Sequence, residues 1–180
     1  GETHHGIYDL SYLSHIPNMT IMAPKDATEF ASMINFAVNY NAPIAIRYPR
    51  DGYIEKLCEK QDEIKLGTAE TLLEGNDITI VALGKTVMTA MKVAEIFKNR
   101  NISAEVINAR FLKPLDSSAI INSLKKTHRI ITLEDNVITG GLASAVESII
   151  IDEKNVKFKK FFAYPDEFIK HGTTSEIEDE

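Results

Sequence analysis

Short, nearly unbroken apolar runs alternate along this chain with stretches of helical spacing, and that alternation leaves few folds open. Ile78-Thr-Ile-Val-Ala-Leu83 is one such run, apolar on both faces that a strand would present. A strand like that must be covered on both sides, as in parallel sheets whose crossovers lay helices over each face. The residues after it supply the cover: Val87, Ala90, Met91, Ala94 and Phe97 recur at helical spacing over 86–98. The cycle then repeats. Residues 104–108 read as a strand, Asp116 as the N-cap of a helix reaching Lys126, and Ile130-Ile-Thr-Leu133 as a further buried strand. Gly140-Gly141 opens a helix that turns Leu142, Ala145, Val146, Ile149 and Ile150 inward. Residues 156–162 alternate with lysines, which suits a strand nearer an edge. The expectation is a three-layer α/β domain (helices on both faces) with a mostly parallel sheet.

The front of the chain carries a smaller unit of the same kind. Ile7, Leu10 and Leu13 recur within a short helical stretch that Pro17 closes. Met19-Thr-Ile-Met22, stopped by Pro24, reads as a buried strand, and Asp26 with Glu29 forms a capping-box pattern. The helix that follows places Ala27, Phe30, Ala31, Ile34, Ala37 and Val38 on one face, expected to point inward. Pro43-Ile-Ala-Ile-Arg-Tyr-Pro49 is a second strand, so 19–48 has the length of one parallel crossover unit. Asp51-Gly52 is a turn, and the charged stretch from 55 to 63 has no sustained apolar face. The expected division is therefore 1–55, a linker at 56–64, and 65–180. A lone crossover unit leaves its apolar faces bare, so 1–55 is expected to be part of a second α/β domain. That argues against a stand-alone, flavodoxin-like interaction domain with no chemistry.

Charge and cysteine content narrow the function. With 26 acidic and 20 basic side chains the formal charge is −6, which disfavours nucleic acid as a partner. Glu176, Glu178, Asp179 and Glu180 crowd the end, where acids suit the first turn of a helix. The single cysteine, Cys58, excludes an intrachain disulfide and a Cys-based zinc site, and suits a reducing compartment. No apolar run approaches the roughly 18 residues of a membrane span. The chain opens on Gly1 instead of Met and is expected to be a piece of something longer.

Four strings are candidate sites. Gly84-Lys85-Thr86 resembles the end of a phosphate-binding loop, but the glycine needed five positions earlier is Thr79, so a plain helix start is expected. The Gly140-Gly141 amides could face an anion, against close helix–sheet packing as the alternative. His4 and His5 stand in a Gly-flanked loop, where an imidazole can face a cleft and exchange protons near neutrality. The alternative is a polar surface loop with Asp9 as a helix-terminal group. Metal ligation is disfavoured, because adjacent side chains diverge and His15, His128 and His171 are scattered. Arg47 and Arg50 end a strand, where ligands of parallel α/β sheets bind, so either could fork onto a phosphate or pair with a nearby acid.

Taken together, several strings resemble the 1-deoxy-D-xylulose-5-phosphate synthases, thiamine-diphosphate enzymes of the transketolase type. They are Gly1-Glu-Thr-His-His-Gly-Ile-Tyr-Asp-Leu-Ser-Tyr-Leu13, Ile16-Pro-Asn-Met19, Met22-Ala-Pro24 and Arg47-Tyr-Pro-Arg50. Arg110-Phe-Leu-Lys-Pro-Leu-Asp116, Leu133-Glu-Asp-Asn136 with Gly140-Gly141, and Pro165-Asp-Glu-Phe-Ile-Lys-His-Gly172 follow in the family's order. The resemblance implies an enzyme that decarboxylates pyruvate on thiamine diphosphate and passes the two-carbon unit to glyceraldehyde 3-phosphate. In it His4 matches the active-site histidine and Arg50 the arginine that contacts the acceptor's phosphate, while His5 matches no catalytic position. It also implies that 1–55 is the back of a pyrimidine-binding domain and 65–180 a C-terminal domain cut short at its last helix. The metal motif for Mg²⁺, the glutamate that activates the cofactor and a substrate-binding aspartate would belong to a missing N-terminal portion, leaving this piece inactive alone. A homodimer is implied, in the cytoplasm of a bacterium or in a plastid-type organelle. The alternatives are a transketolase-like chain or the β subunit of a 2-oxo-acid dehydrogenase.

Overall fold

The structure is a computed structural model that describes residues 4–50, 52, 57, 63–170, 172–173 and 176–177. Cys58, most of the expected linker at 56–64 and the last three acids lie outside the described residues. At the end that is described, the Thr173 amide and hydroxyl both donate to Glu176 at 2.8 Å, and the Ile177 amide donates to Thr173 O. That is the geometry of a helix beginning.

The front unit forms as its pattern predicts, with one rotation. It comprises α1 (Asp9–Ser14), β1 (Thr20–Met22), α2 (Ala27–Val38) and β2 (Ile44–Ile46). Strands β1 and β2 run parallel, with Thr20 opposite Ile44 and Met22 opposite Ile46. Asp26 caps α2 by accepting from the Glu29 amide at 2.7 Å. The reciprocal half of the capping box is replaced, because the Glu29 carboxylate accepts from the Lys25 amide instead. Glu29 thereby turns inward, and the helix rotates with it. Its buried residues are Glu29 and Met33, with Phe36 and Ala37 packed nearby, whereas Ile34 is 42% and Val38 80% exposed. The expected apolar face is thus corrected: spacing identified a helix but assumed that only apolar groups turn inward.

The second series comprises β3 (Glu70–Leu73), β4 (Ile78–Ala82), α3 (Thr86–Lys98), β5 (Ala104–Asn108), β6 (Phe111–Lys113), α4 (Ser117–Thr127), β7 (Arg129–Val137), α5 (Leu142–Ile150) and β8 (Phe158–Tyr164). Its sheet has the order β3-β5-β4-β7-β8, with β3 alone antiparallel to its neighbour. Alternation along β4 sends Ile78, Ile80 and Ala82 toward Val87, Ala90 and Ala94 of α3. Val81 and Leu83 pack on the other side with Ile120, Leu124, Leu142 and Val146 of α4 and α5. Each such large side chain contributes about 1.5–3 kcal/mol on burial. The three layers expected from the apolar runs are present.

Two short strands escaped the sequence reading. β3 closes one edge of the larger sheet, and β6 leaves it to pair antiparallel with β1, setting Phe111 opposite Met22. The smaller sheet is therefore β2-β1-β6, and the front unit finds its missing partner in residues 111–113. Between β5 and β6 the backbone turns at Arg110, at φ 58°, and the Arg110 carbonyl accepts from the Ala23 amide at 2.9 Å.

Candidate functional site

Where the two sheets meet, a closed group of charges is buried. Lys25 Nζ lies 3.0 Å from Glu29 Oε1 and 2.8 Å from Glu70 Oε2. Arg110 reaches the same carboxylates, Nε to Glu29 at 2.8 Å and Nη2 to Glu70 at 3.1 Å. Asn108 Nδ2 donates to both acids as well. Burial works against the Lys25 charge, yet Glu29 and Glu70 hold its pKa above the ordinary value. For Glu70 burial is outweighed by Lys25 and Arg110, which hold its carboxyl below the usual range. Two cations facing two carboxylates satisfy a site that would be prohibitive for any one of them alone.

Beside this group lies a cleft of about 500 Å³, lined by Gly6, Asp9, Arg47, Arg50, Lys85 and Asp135 among others. Arg47, just past β2, organises one wall. Its Nη1 donates to Asp135 Oδ1, and its Nη2 to Gly6 O at 2.7 Å and Asp135 O at 2.8 Å. Nε lies 3.5 Å from Asp9 Oδ2. Burial raises the Asp9 carboxyl above its ordinary pKa, with Arg47 opposing and Asp135 adding to the rise. Lys85 Nζ stands 3.6 Å from the other Asp135 oxygen. For Arg47, then, the salt-bridge reading holds, and its guanidinium is engaged on every nitrogen.

Arg50 is placed differently. It is exposed, lines the cleft, and makes no ion pair with a described residue. His4 is exposed in the bend before α1 and is not among the residues lining the cleft. Its loop is nevertheless tied down, because the Val137 amide donates to Ile7 O at 2.8 Å beside the Arg47–Gly6 bond. The ring of His5 packs 5.7 Å from Tyr8 and 6.0 Å from Phe168, a packing role.

The remaining strings resolve on geometry. Thr79 lies within β4 and bonds to Ser123 and Thr127, and Thr86 Oγ1 donates to Leu83 O and Leu133 O, so 84–86 is a helix start. The helix opened by Gly140-Gly141 already holds an anion of its own. Glu134 accepts from the Leu142 amide at 2.7 Å and the Ala143 amide at 2.8 Å. A Cβ at Gly141 would stand 2.1 Å from Glu134 Oε2, so this position must be glycine for the carboxylate to approach. Burial pushes the Glu134 carboxyl up to about 7, against the pull of both amides. Sequence reasoning missed Asp135, and it set Lys85 aside with the helix start at 84–86. The only sign was two consecutive acids in Leu133-Glu-Asp-Asn136, at the carboxyl end of a buried strand. Among the described residues no group of three or more His, Cys, Asp or Glu is placed to hold a metal ion.

These two mixed α/β sheets, meeting at a cleft, form a transketolase-type fold. The family model for the transketolase C-terminal domain matches residues 67–180, and that for the transketolase pyrimidine-binding domain matches 1–56. The 1-deoxy-D-xylulose-5-phosphate synthase 1 of Geobacter sulfurreducens is 44% identical over 180 residues, covering 98% of this chain and 28% of its own length. The synthase of Desulforudis audaxviator is 46% identical over 175 residues, or 96% of this chain and 27% of that protein. Among solved structures, a split-gene transketolase described as an inactive β4 tetramer superimposes with a TM-score of 0.92 at 28% identity, over 99% of this chain and 58% of that one. A transketolase from Campylobacter jejuni shares the fold at a TM-score of 0.73 and 18% identity, over 99% of this chain and 26% of that one. The chain belongs to the transketolase family of thiamine-diphosphate enzymes, and along nearly its whole length it is homologous to the 1-deoxy-D-xylulose-5-phosphate synthases. It spans little more than a quarter of those relatives.

Proposed function

We propose that this chain is the acceptor-handling segment of a 1-deoxy-D-xylulose-5-phosphate synthase. Such an enzyme decarboxylates pyruvate on thiamine diphosphate and transfers the two-carbon unit to glyceraldehyde 3-phosphate. The carrying observation is Arg50, a guanidinium facing a cleft of about 500 Å³ with no ion-pair partner among the described residues. A planar fork of donors at the carboxyl end of a parallel strand suits a phosphate monoester. In this reading Arg50 binds the acceptor's phosphate, and His4 moves a proton at the acceptor's oxygen. Residues 1–55 serve as the back of a pyrimidine-binding domain, 56–64 as a linker and 65–180 as a C-terminal domain. The donors for Mg²⁺ and the diphosphate belong to polypeptide outside this segment. Assembly as a homodimer in the cytoplasm, or in a plastid-type organelle, goes with the same reading.

The test is kinetic, in the complete polypeptide that carries this segment. Arg50→Ala should raise the KM for glyceraldehyde 3-phosphate by about a hundredfold and leave that for pyruvate within about twofold. Equal changes in both would remove the phosphate role. His4→Ala should lose turnover with thiamine diphosphate still bound, and wild-type turnover would remove the proton role. A second reading draws on the likeness to the split-gene transketolase: a separate chain supplies the cofactor-binding part. Copurification with such a chain would distinguish it.

A further inference from the structure

We infer that Asp135, acting through Arg47, is a positioning residue for the two loops that carry His4 and Arg50; this rests on the roles proposed for those residues. Asp135 belongs to the larger sheet, near the end of β7, whereas both loops belong to the front unit. Its own position is fixed from either side. Glu134 before it is held by two amides at the start of α5, and Asn136 after it donates to Ser11 Oγ at 2.8 Å and to Val137 O at 2.7 Å. Only 10% of the Asp135 side chain is exposed.

From that fixed point Arg47 clasps both loops at once. Its Nη2 bonds to Asp135 O and to Gly6 O, two residues after His4, while Nη1 takes the Asp135 carboxylate. Arg47 precedes Arg50 by three residues, and Pro49 between them restricts the intervening backbone. Fixing the guanidinium therefore fixes where the strand end releases Arg50. Charge-assisted, forked bonds of this kind set direction as well as strength. Without the Asp135 carboxylate, Arg47 keeps the Gly6 and Asp135 carbonyls but, among described carboxylates, only Asp9 at 3.5 Å, so the charge-assisted half of the clasp is lost and both loops are held less firmly. Displacing a substrate contact by about 1 Å is enough to cost up to about a hundredfold in rate.

The experiment compares variants of the complete polypeptide by steady-state kinetics and by amide hydrogen exchange. Asp135→Asn keeps the side chain's shape and removes its charge. It should raise the KM for glyceraldehyde 3-phosphate about tenfold, leave that for pyruvate within about twofold, and speed exchange at 5–9 and 47–50 without loosening β4 and β5. Asp135→Glu should recover part of both effects, and Asp152→Asn, at an exposed acid outside the cleft lining, should change neither. Arg47→Lys, which keeps the charge but loses the fork, should reproduce the pattern if Asp135→Asn does not fold. Both KM values moving together with loss of protection throughout the chain would overturn the inference, as would no change in either readout. If Arg50→Ala leaves the acceptor's KM unchanged, the phosphate reading of Arg50 fails. Exchange at the two loops then decides by itself whether Asp135 holds them.

Discussion

A carboxylate gripped by two amides at a helix start would ordinarily stay ionised, but burial lifts Glu134 to about 7. The native state then retains a proton that the unfolded chain releases near the ordinary value of 4.5. Glu134's contribution to stability is fully present below that value and is lost as pH rises through about 7. Urea unfolding should therefore show wild type losing up to about 3 kcal/mol relative to Glu134→Gln between pH 4.5 and pH 8. A constant difference across that range would contradict the assignment. Glu134 illustrates what sequence alone does not reveal. The position of Arg50 beside the cleft was legible, because the carboxyl end of a parallel strand is a recognisable place for a cleft. The Glu134 cap and the Asp135–Arg47 pair were not, since Arg47 and Asp135 stand 88 residues apart and only the packing of two sheets brings them together.

At the level of elements, α2 separates what spacing can reveal from what it cannot. Its length and N-cap follow from local chemistry, and Asp26 caps it as the sequence implies. Which face turns inward was decided by a nonlocal ion group that drew Glu29 into the interior. The rotation gives a direct contrast. Met33→Ala, at a fully buried position, should cost about 2–5 kcal/mol in urea unfolding, whereas Val38→Lys should cost less than about 0.5 kcal/mol. Comparable losses would mean that the face read from spacing is the buried one after all. Strand β4 and the front of β7 were legible as apolar runs covered on both faces, and β5 from its place in the strand–helix cycle. Strands β3 and β6 are too short for periodicity, and each is made a strand by its partner: β5 for the first, β1 for the second.

Two of the features that join the molecule as a whole are contained in neither unit alone. One is β6, which leaves the larger series to complete the smaller sheet. The other is the buried group in which Lys25 and Glu29 of the front unit meet Glu70 and Arg110 of the larger one. Breaking one member of such a group typically costs about 3–5 kcal/mol, because its partners are left buried and uncompensated. The cleft lies along this same junction, lined by Arg47 and Arg50 of the front unit and by Lys85 and Asp135 of the larger one. Homology to the synthases was legible in the strings at 1–13, 47–50 and 133–136, and their meaning in space was not: Asp9, Arg47 and Asp135 converge only in the fold. The central claim is that this segment serves synthesis of 1-deoxyxylulose 5-phosphate, and product formation tests it directly. Supplied with thiamine diphosphate, Mg²⁺, pyruvate and glyceraldehyde 3-phosphate, the complete polypeptide should release that product and carbon dioxide in equal amounts, and residues 1–180 alone should release neither. Product from the 180-residue chain alone, or none from the complete polypeptide, would contradict the account.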